Sequence, residues 1–88
     1  MNIIYILATI FGIIGGLANL PQVIKIFKRK SAKDISILTY AIIFLGTIVW
    51  ILYGIQIRDM PILVGNIFGA ITVSLVIFGW FLYGRSKK

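Results

Sequence analysis

Residues 19–22 read Asn19-Leu20-Pro21-Gln22, a polar-and-proline interruption set where an otherwise apolar stretch runs into a group of lysines. Proline locks φ, lacks an N–H and clashes with the carbonyl four residues back, here that of Leu17, at a cost of ~3 kcal/mol in a helix interior. In hydrocarbon a freed carbonyl has no water to turn to, so a neighbouring helix, a polar side chain or a cavity must satisfy it. Asn19 and Gln22 are the nearest candidates. Two readings follow: Pro21 as a static kink or end of the buried helix, or Pro21 as a hinge.

Outward from this break the chain is almost bare of charge. Of 88 residues, 60% are hydrophobic and 12% charged, against the ~25% charge of soluble domains. Uncharged runs extend from Met1 to Ile24, from Ile35 to Ile57 and from Met60 to Gly84, each long enough to cross hydrocarbon, which takes about 20 residues. The expectation is an all-α membrane protein of one domain, 1–88, with three spans at about 2–27, 37–57 and 61–83. Cys and His are both absent, which removes disulfides, thiol nucleophiles and the commonest metal ligand and general base. No Lys or Arg precedes the first span, so it lacks the basic n-region of a secretory signal and reads as a retained helix.

The net charge of +7 is unevenly placed. Lys25, Lys28, Arg29, Lys30 and Lys33 lie between the first and second spans, and Arg85, Lys87 and Lys88 follow the third, whereas only Arg58 lies between the second and third. The positive-inside rule then puts the first connection and the C-terminus in the cytoplasm and the N-terminus outside, in a multi-pass protein of the cell membrane. A basic loop beside anionic headgroups accounts for the charge without nucleic acid.

Gly12 and Gly16 in the first span, and Gly65 and Gly69 in the third, have GxxxG spacing, which lets a neighbouring helix approach the backbone. Asp34 or Ser36 can cap the second helix. Gly46, Trp50, Tyr53 and Gly54 recur at three- and four-residue intervals, so small and aromatic residues share one stripe. Gln56 to Asp59 form a short turn, and Pro61 suits the first turn of the third helix, where its missing N–H is harmless.

The second and third spans make a hairpin about Arg58. Trp50 and Asn66 each lie eight residues from it, and at 1.5 Å rise per residue both sit roughly 12 Å from the turn, in one layer inside the membrane. An aromatic face stacks on the C–H surface of a sugar, and an Asn amide both donates to and accepts from hydroxyls. The plainer readings are bulk packing for Trp50 and interhelical hydrogen bonding for Asn66. Arg58 and Asp59, with Tyr53 about a turn away, read either as a solvated ion pair worth less than ~1 kcal/mol or as a gate. No ionisable Asp, Glu, Lys or Arg interrupts the three apolar runs, which disfavours proton or ion coupling. No acid, base, nucleophile or metal set suggests an enzyme or a cofactor. Three helices supply only half the wall of a sugar-sized cavity, so a second copy related by a two-fold axis along the membrane normal is expected.

Pro21 and Gln22 after a Gly-rich helix, the run Lys30-Ser31-Ala32-Lys33-Asp34-Ile35-Ser36, and the series Trp50, Tyr53, Gly54, Asp59, Pro61, Asn66 together resemble the bacterial SemiSWEETs of the SWEET (MtN3/saliva, PQ-loop) sugar transporters. The resemblance covers essentially the whole chain. It implies a three-helix bundle packed in the order first, third, second, working as a parallel homodimer in passive, bidirectional sugar uniport by alternating access. It implies sugar contact by Trp50 and Asn66, a hinge at Pro21 and Gln22, and an outer gate of Tyr53, Arg58 and Asp59. For the inner gate, Leu20 and Tyr40 are the expectation; where members often carry a bulky apolar residue early in the second helix, this chain has Thr39 and then Tyr40. The other functions compatible with the chain are a proton-coupled PQ-loop transporter of amino or organic acids and a membrane scaffold that binds partners through its GxxxG faces.

Overall fold

The computed structural model describes residues 2–33 and 35–84. Asp34, as a possible cap, and the basic residues Arg85, Lys87 and Lys88 lie outside them. Asn2 starts the first helix, α1 (Ile3–Gly16), by accepting from the Tyr5 N–H at 2.8 Å. A turn over residues 17–19 separates it from α2 (Leu20–Arg29), which ends at Lys30 in the left-handed conformation (φ 52°, ψ 43°). Lys30 and Ser31 both donate to the Ile26 carbonyl, so the chain reverses over the end of α2.

Ser36 caps α3 (Ile37–Ile57), its hydroxyl oxygen accepting from the Thr39 N–H at 3.3 Å. Arg58, again left-handed (φ 55°), closes α3. Asp59 then caps α4 (Met60–Gly79), which carries Pro61 in its first turn. The last described turn, Trp80–Gly84, widens to a π-helix. Three segments are long and apolar enough to cross a membrane: α1 with α2, α3, and α4 with its π turn.

The spans pack in the order first, third, second, with α4 between α1 and α3 and in contact with α2 as well. The Cα trace extends 51 × 21 × 13 Å. A helix is about 4.6 Å across at its Cα atoms, so the three spans form a flattened bundle rather than a single layer.

α4 meets α1 through their glycines. A Cβ added to Gly16 would stand 2.6 Å from the Gly65 carbonyl oxygen and 2.8 Å from the Gly69 nitrogen, and one added to Gly65 would stand 3.1 Å from the Gly12 carbonyl oxygen. The two GxxxG motifs face each other, and backbone meets backbone. Gly15, outside this seam, has nothing within 4 Å of its added Cβ.

The buried side chains gather toward the basic end. Val23, Ile26, Ala32 and Val76 form the core cluster, with Phe27, Ile35, Tyr40, Trp80 and Tyr83 packed around it. Ala32 anchors the first connection into this core at 2% exposure. Most other large apolar side chains point outward, as helices in lipid require.

Candidate functional site

The break in the first span rearranges hydrogen bonds by one residue. In an uninterrupted helix the Leu17 carbonyl would accept from residue 21, which is proline. Instead Leu20 N–H donates to the Leu17 oxygen at 2.9 Å. The expectation that Asn19 or Gln22 would satisfy this carbonyl is corrected: the backbone tightens and supplies the donor itself.

The tightening displaces the deficit to Gly16, whose oxygen would have taken the Leu20 N–H. Thr72 on α4 fills the vacancy, its hydroxyl lying 2.7 Å from the Gly16 oxygen and 2% exposed. Pro21 itself sits in the first turn of α2, where its missing N–H removes no bond. The break is thus a turn at residues 17–19, followed by a helix that proline starts.

Two polar side chains tie the break to the second span. The Tyr40 hydroxyl donates to Asn19 Oδ1 at 3.3 Å, partly buried. Leu20 and Pro21 are exposed beside this bond, and Gln22 is half-buried on the same stretch. Leu20 and Tyr40 therefore lie at the same end of the bundle, joined through Asn19.

Further along, α3 and α4 pack side by side, and Trp50 and Asn66 lie on these two helices, each eight residues from Arg58. Trp50 is 51% exposed, and its ring lies edge-on to Tyr53 at 5.7 Å and 82°. Asn66 is half-buried, and its amide nitrogen donates to the Ile62 carbonyl one turn earlier at 2.9 Å. Among the described residues its Oδ1 accepts no hydrogen bond. An amide whose donor is held by its own helix presents that oxygen as an acceptor at fixed orientation.

The stripe expected on α3 divides. Gly54 is buried against Ile62 and Leu63 of α4, whereas Gly46 has nothing within 4 Å of an added Cβ and Trp50 and Tyr53 are exposed. Gly54 is turned ~40° from Trp50 about the helix axis and Gly46 ~40° the other way, enough to put one in the seam and the other outside it.

At the Arg58 end, Asp59 Oδ1 accepts from the Ile62 N–H at 2.9 Å, so this carboxylate is an N-cap. Tyr53 faces Trp50, and its hydroxyl makes no hydrogen bond with the turn. Thr72 is the residue that sequence reasoning passed over. Its signal was present: Gly65, Gly69 and Thr72 follow one another at four- and three-residue steps, so Thr72 continues the glycine face of α4.

Known proteins share this architecture. Residues 2–88 match the MtN3_slv family, described as "sugar efflux transporter for intercellular exchange". The sugar transporter SemiSWEET of Leptospira biflexa serovar Patoc is 36% identical over 59 residues, covering 67% of this chain and 69% of that protein. The bidirectional sugar transporter SWEET10 of Arabidopsis thaliana is 30% identical over 90 residues, covering 94% of this chain but 31% of the longer plant protein. The crystal structure of a bacterial homologue of SWEET transporters superposes with a TM-score of 0.88 at 32% identity, over 94% of this chain and all of the other (100%).

Proposed function

The chain belongs to the MtN3_slv family of SWEET and SemiSWEET sugar transporters, and from that premise we propose that it is a passive, bidirectional sugar uniporter that works by alternating access as a parallel homodimer. The observation that carries this reading is the exposed indole of Trp50 on α3 together with the amide oxygen of Asn66 on α4, which accepts no hydrogen bond among the described residues, both within the apolar part of the bundle. A neutral, amphipathic ring suits that pair, with its C–H face on the indole and a hydroxyl donating to Asn66 Oδ1. Three helices supply only part of the wall of a sugar-sized cavity, and the second copy supplies the rest.

In the cycle we propose, sugar enters between the protomers at the Arg58 end while the basic end is shut, and leaves when that order is reversed. Pro21 and Gln22 serve as the hinge, because the adjoining turn already breaks the helical bond pattern and can alter its angle with few bonds lost. Leu20 and Tyr40 close the basic end, which lies in the cytoplasm with the C-terminus, and Tyr53, Arg58 and Asp59 close the outer end. The chain holds two acidic residues, Asp34 and Asp59, both outside the spans, which favours uniport over proton coupling.

Counterflow of radiolabelled sugars in proteoliposomes tests the proposal. Trp50→Ala and Asn66→Ala are each expected to lower exchange at least about tenfold, the scale of one lost stacking or hydroxyl contact in a water-poor site. An imposed pH gradient is expected to leave flux unchanged. Parent-like exchange by both variants would remove the site assignment, and pH-driven accumulation would replace uniport with coupled transport.

A further inference from the structure

At the basic end, a cleft of about 730 Å³ opens between α2, the first connection and the start of α3. Its walls carry Gln22, Lys25 and Arg29 from α2, Lys33 from the connection, and Ser36 and Thr39 from the first turn of α3. Lys25 and Arg29 stand at i and i+4, so they share one face of α2 and reach into the cleft together. No carboxylate is among its described lining residues.

The fold builds this arrangement. The left-handed Lys30 turns the chain back over α2, and Ala32, buried at 2% exposure, anchors the connection whose Lys33 and Ser36 line the cleft together with α2. Ser36 Oγ already accepts from both the Thr39 N–H and the Thr39 hydroxyl, which leaves its own proton to donate elsewhere. The first amides of a 21-residue helix add donors and partial positive charge at the same place.

We propose that this cleft binds a phosphate group. Three cations, one of them a guanidinium with a forked donor set, exceed what one carboxylate needs and match a phosphate mono- or diester. Such a group can be the headgroup of an anionic phospholipid in the adjacent leaflet or a small soluble phosphate ester. By contacting α2 and the start of α3 at once, it braces the two elements that Asn19 and Tyr40 also join.

Diffuse attraction of a basic loop to any anionic surface is the competing account, and the geometry separates the two. Lys28 and Lys30 carry the same charge as Lys25 and Arg29 and are exposed, but neither lines the cleft. The experiment uses the full chain in detergent and compares the paired variants Lys25→Gln with Arg29→Gln and Lys28→Gln with Lys30→Gln. Retention of phosphatidylglycerol against phosphatidylcholine is read by native mass spectrometry, and binding of glycerol 1-phosphate by calorimetry.

The cleft pair is expected to weaken phosphatidylglycerol or glycerol phosphate binding by about tenfold or more, the effect of losing charge-assisted contacts, and the outer pair by less than about threefold. Phosphatidylglycerol binding alone identifies a lipid headgroup, and binding of both ligands identifies a site for the phosphate itself. Equal losses in the two pairs, or no preference of the parent for either phosphate ligand, would overturn the proposal. Should the cleft pair lose helicity, Lys33→Gln, which lies outside both helices, carries the same comparison. The readout is binding, so it stands whether or not sugar is transported.

Discussion

Replacing Thr72 by Val tests the account of the broken first span. The side chains are nearly the same size, so the change removes a hydroxyl and little volume. That hydroxyl reaches the Gly16 oxygen at 2.7 Å and shares itself with the Phe68 and Gly69 carbonyls of its own helix at 3.2 and 3.1 Å. The Phe68 and Gly69 oxygens keep their places in the α4 ladder, whereas the Thr72 hydroxyl is the donor recorded for the Gly16 oxygen among the described residues. Leu20 N–H is committed to Leu17, and Pro21 has none. Interhelical hydrogen bonds in membranes average ~0.6 kcal/mol and reach ~1.7 kcal/mol, while a buried acceptor left bare costs about 1–3 kcal/mol. A loss of about 1–2 kcal/mol is therefore expected for Thr72→Val, read by unfolding in mixed micelles followed by far-ultraviolet circular dichroism. Thr72→Ser keeps the hydroxyl and gives up one methyl, about 0.8 kcal/mol, so it should be the milder change. If the Val variant matches the parent, or Ser costs more than Val, the Gly16 carbonyl is not held as described.

The glycine seam predicts a contrast between neighbours: Gly16→Ala should destabilise by about 1–3 kcal/mol, because its Cβ meets backbone at 2.6–2.8 Å, whereas Gly15→Ala, with open space, should cost nothing in the same micelle titration; equal effects would mean that the seam does not set the spacing. For Asp59, Ala should lose about 0.5–2 kcal/mol of cap energy and Asn almost none, so a flux defect in Asp59→Asn with parent-like stability assigns the charge to gating, and parent-like flux removes Asp59 from the gate. Tyr40→Phe deletes the 3.3 Å bond to Asn19, worth at most about 1 kcal/mol, and spin-label distances between α2 and the start of α3 should shift by a few-fold in population toward the form open at the basic end; an unchanged distribution would show that this bond does not help to close it.

The three spans and their helical fold were legible because charge and apolar length are local properties, and the resemblance to SemiSWEETs pointed to the same helix order. The facing GxxxG pairs were legible as capacity for close approach, although neither motif names its partner. The division of the Gly46–Gly54 stripe was not legible: a period of 3.6 gives the spread of side chains around α3, but which flank meets α4 depends on a helix not yet placed. The satisfaction of the break was hidden for a similar reason. Local reading finds the missing proline N–H, yet the bond shift passes the deficit back one residue, and the donor that answers it lies 56 residues further along the chain. The Asn66 acceptor falls between these cases, since its layer follows from counting and its free oxygen only from the bond that its nitrogen makes.

The placing of α4 between the first two spans has a consequence for biogenesis. The two segments made first are not the two that pack best, because each finds its main partner only in the third span, made after both. Until that helix enters, the glycine face of α1 and the Gly54 face of α3 meet only lipid or each other. A nascent chain stalled before Met60 would therefore hold two inserted but undocked helices, and the bundle would close by wedging α4 between them. Quality control of this protein should accordingly act late, with truncations inside α4 cleared as readily as chains that lack it altogether.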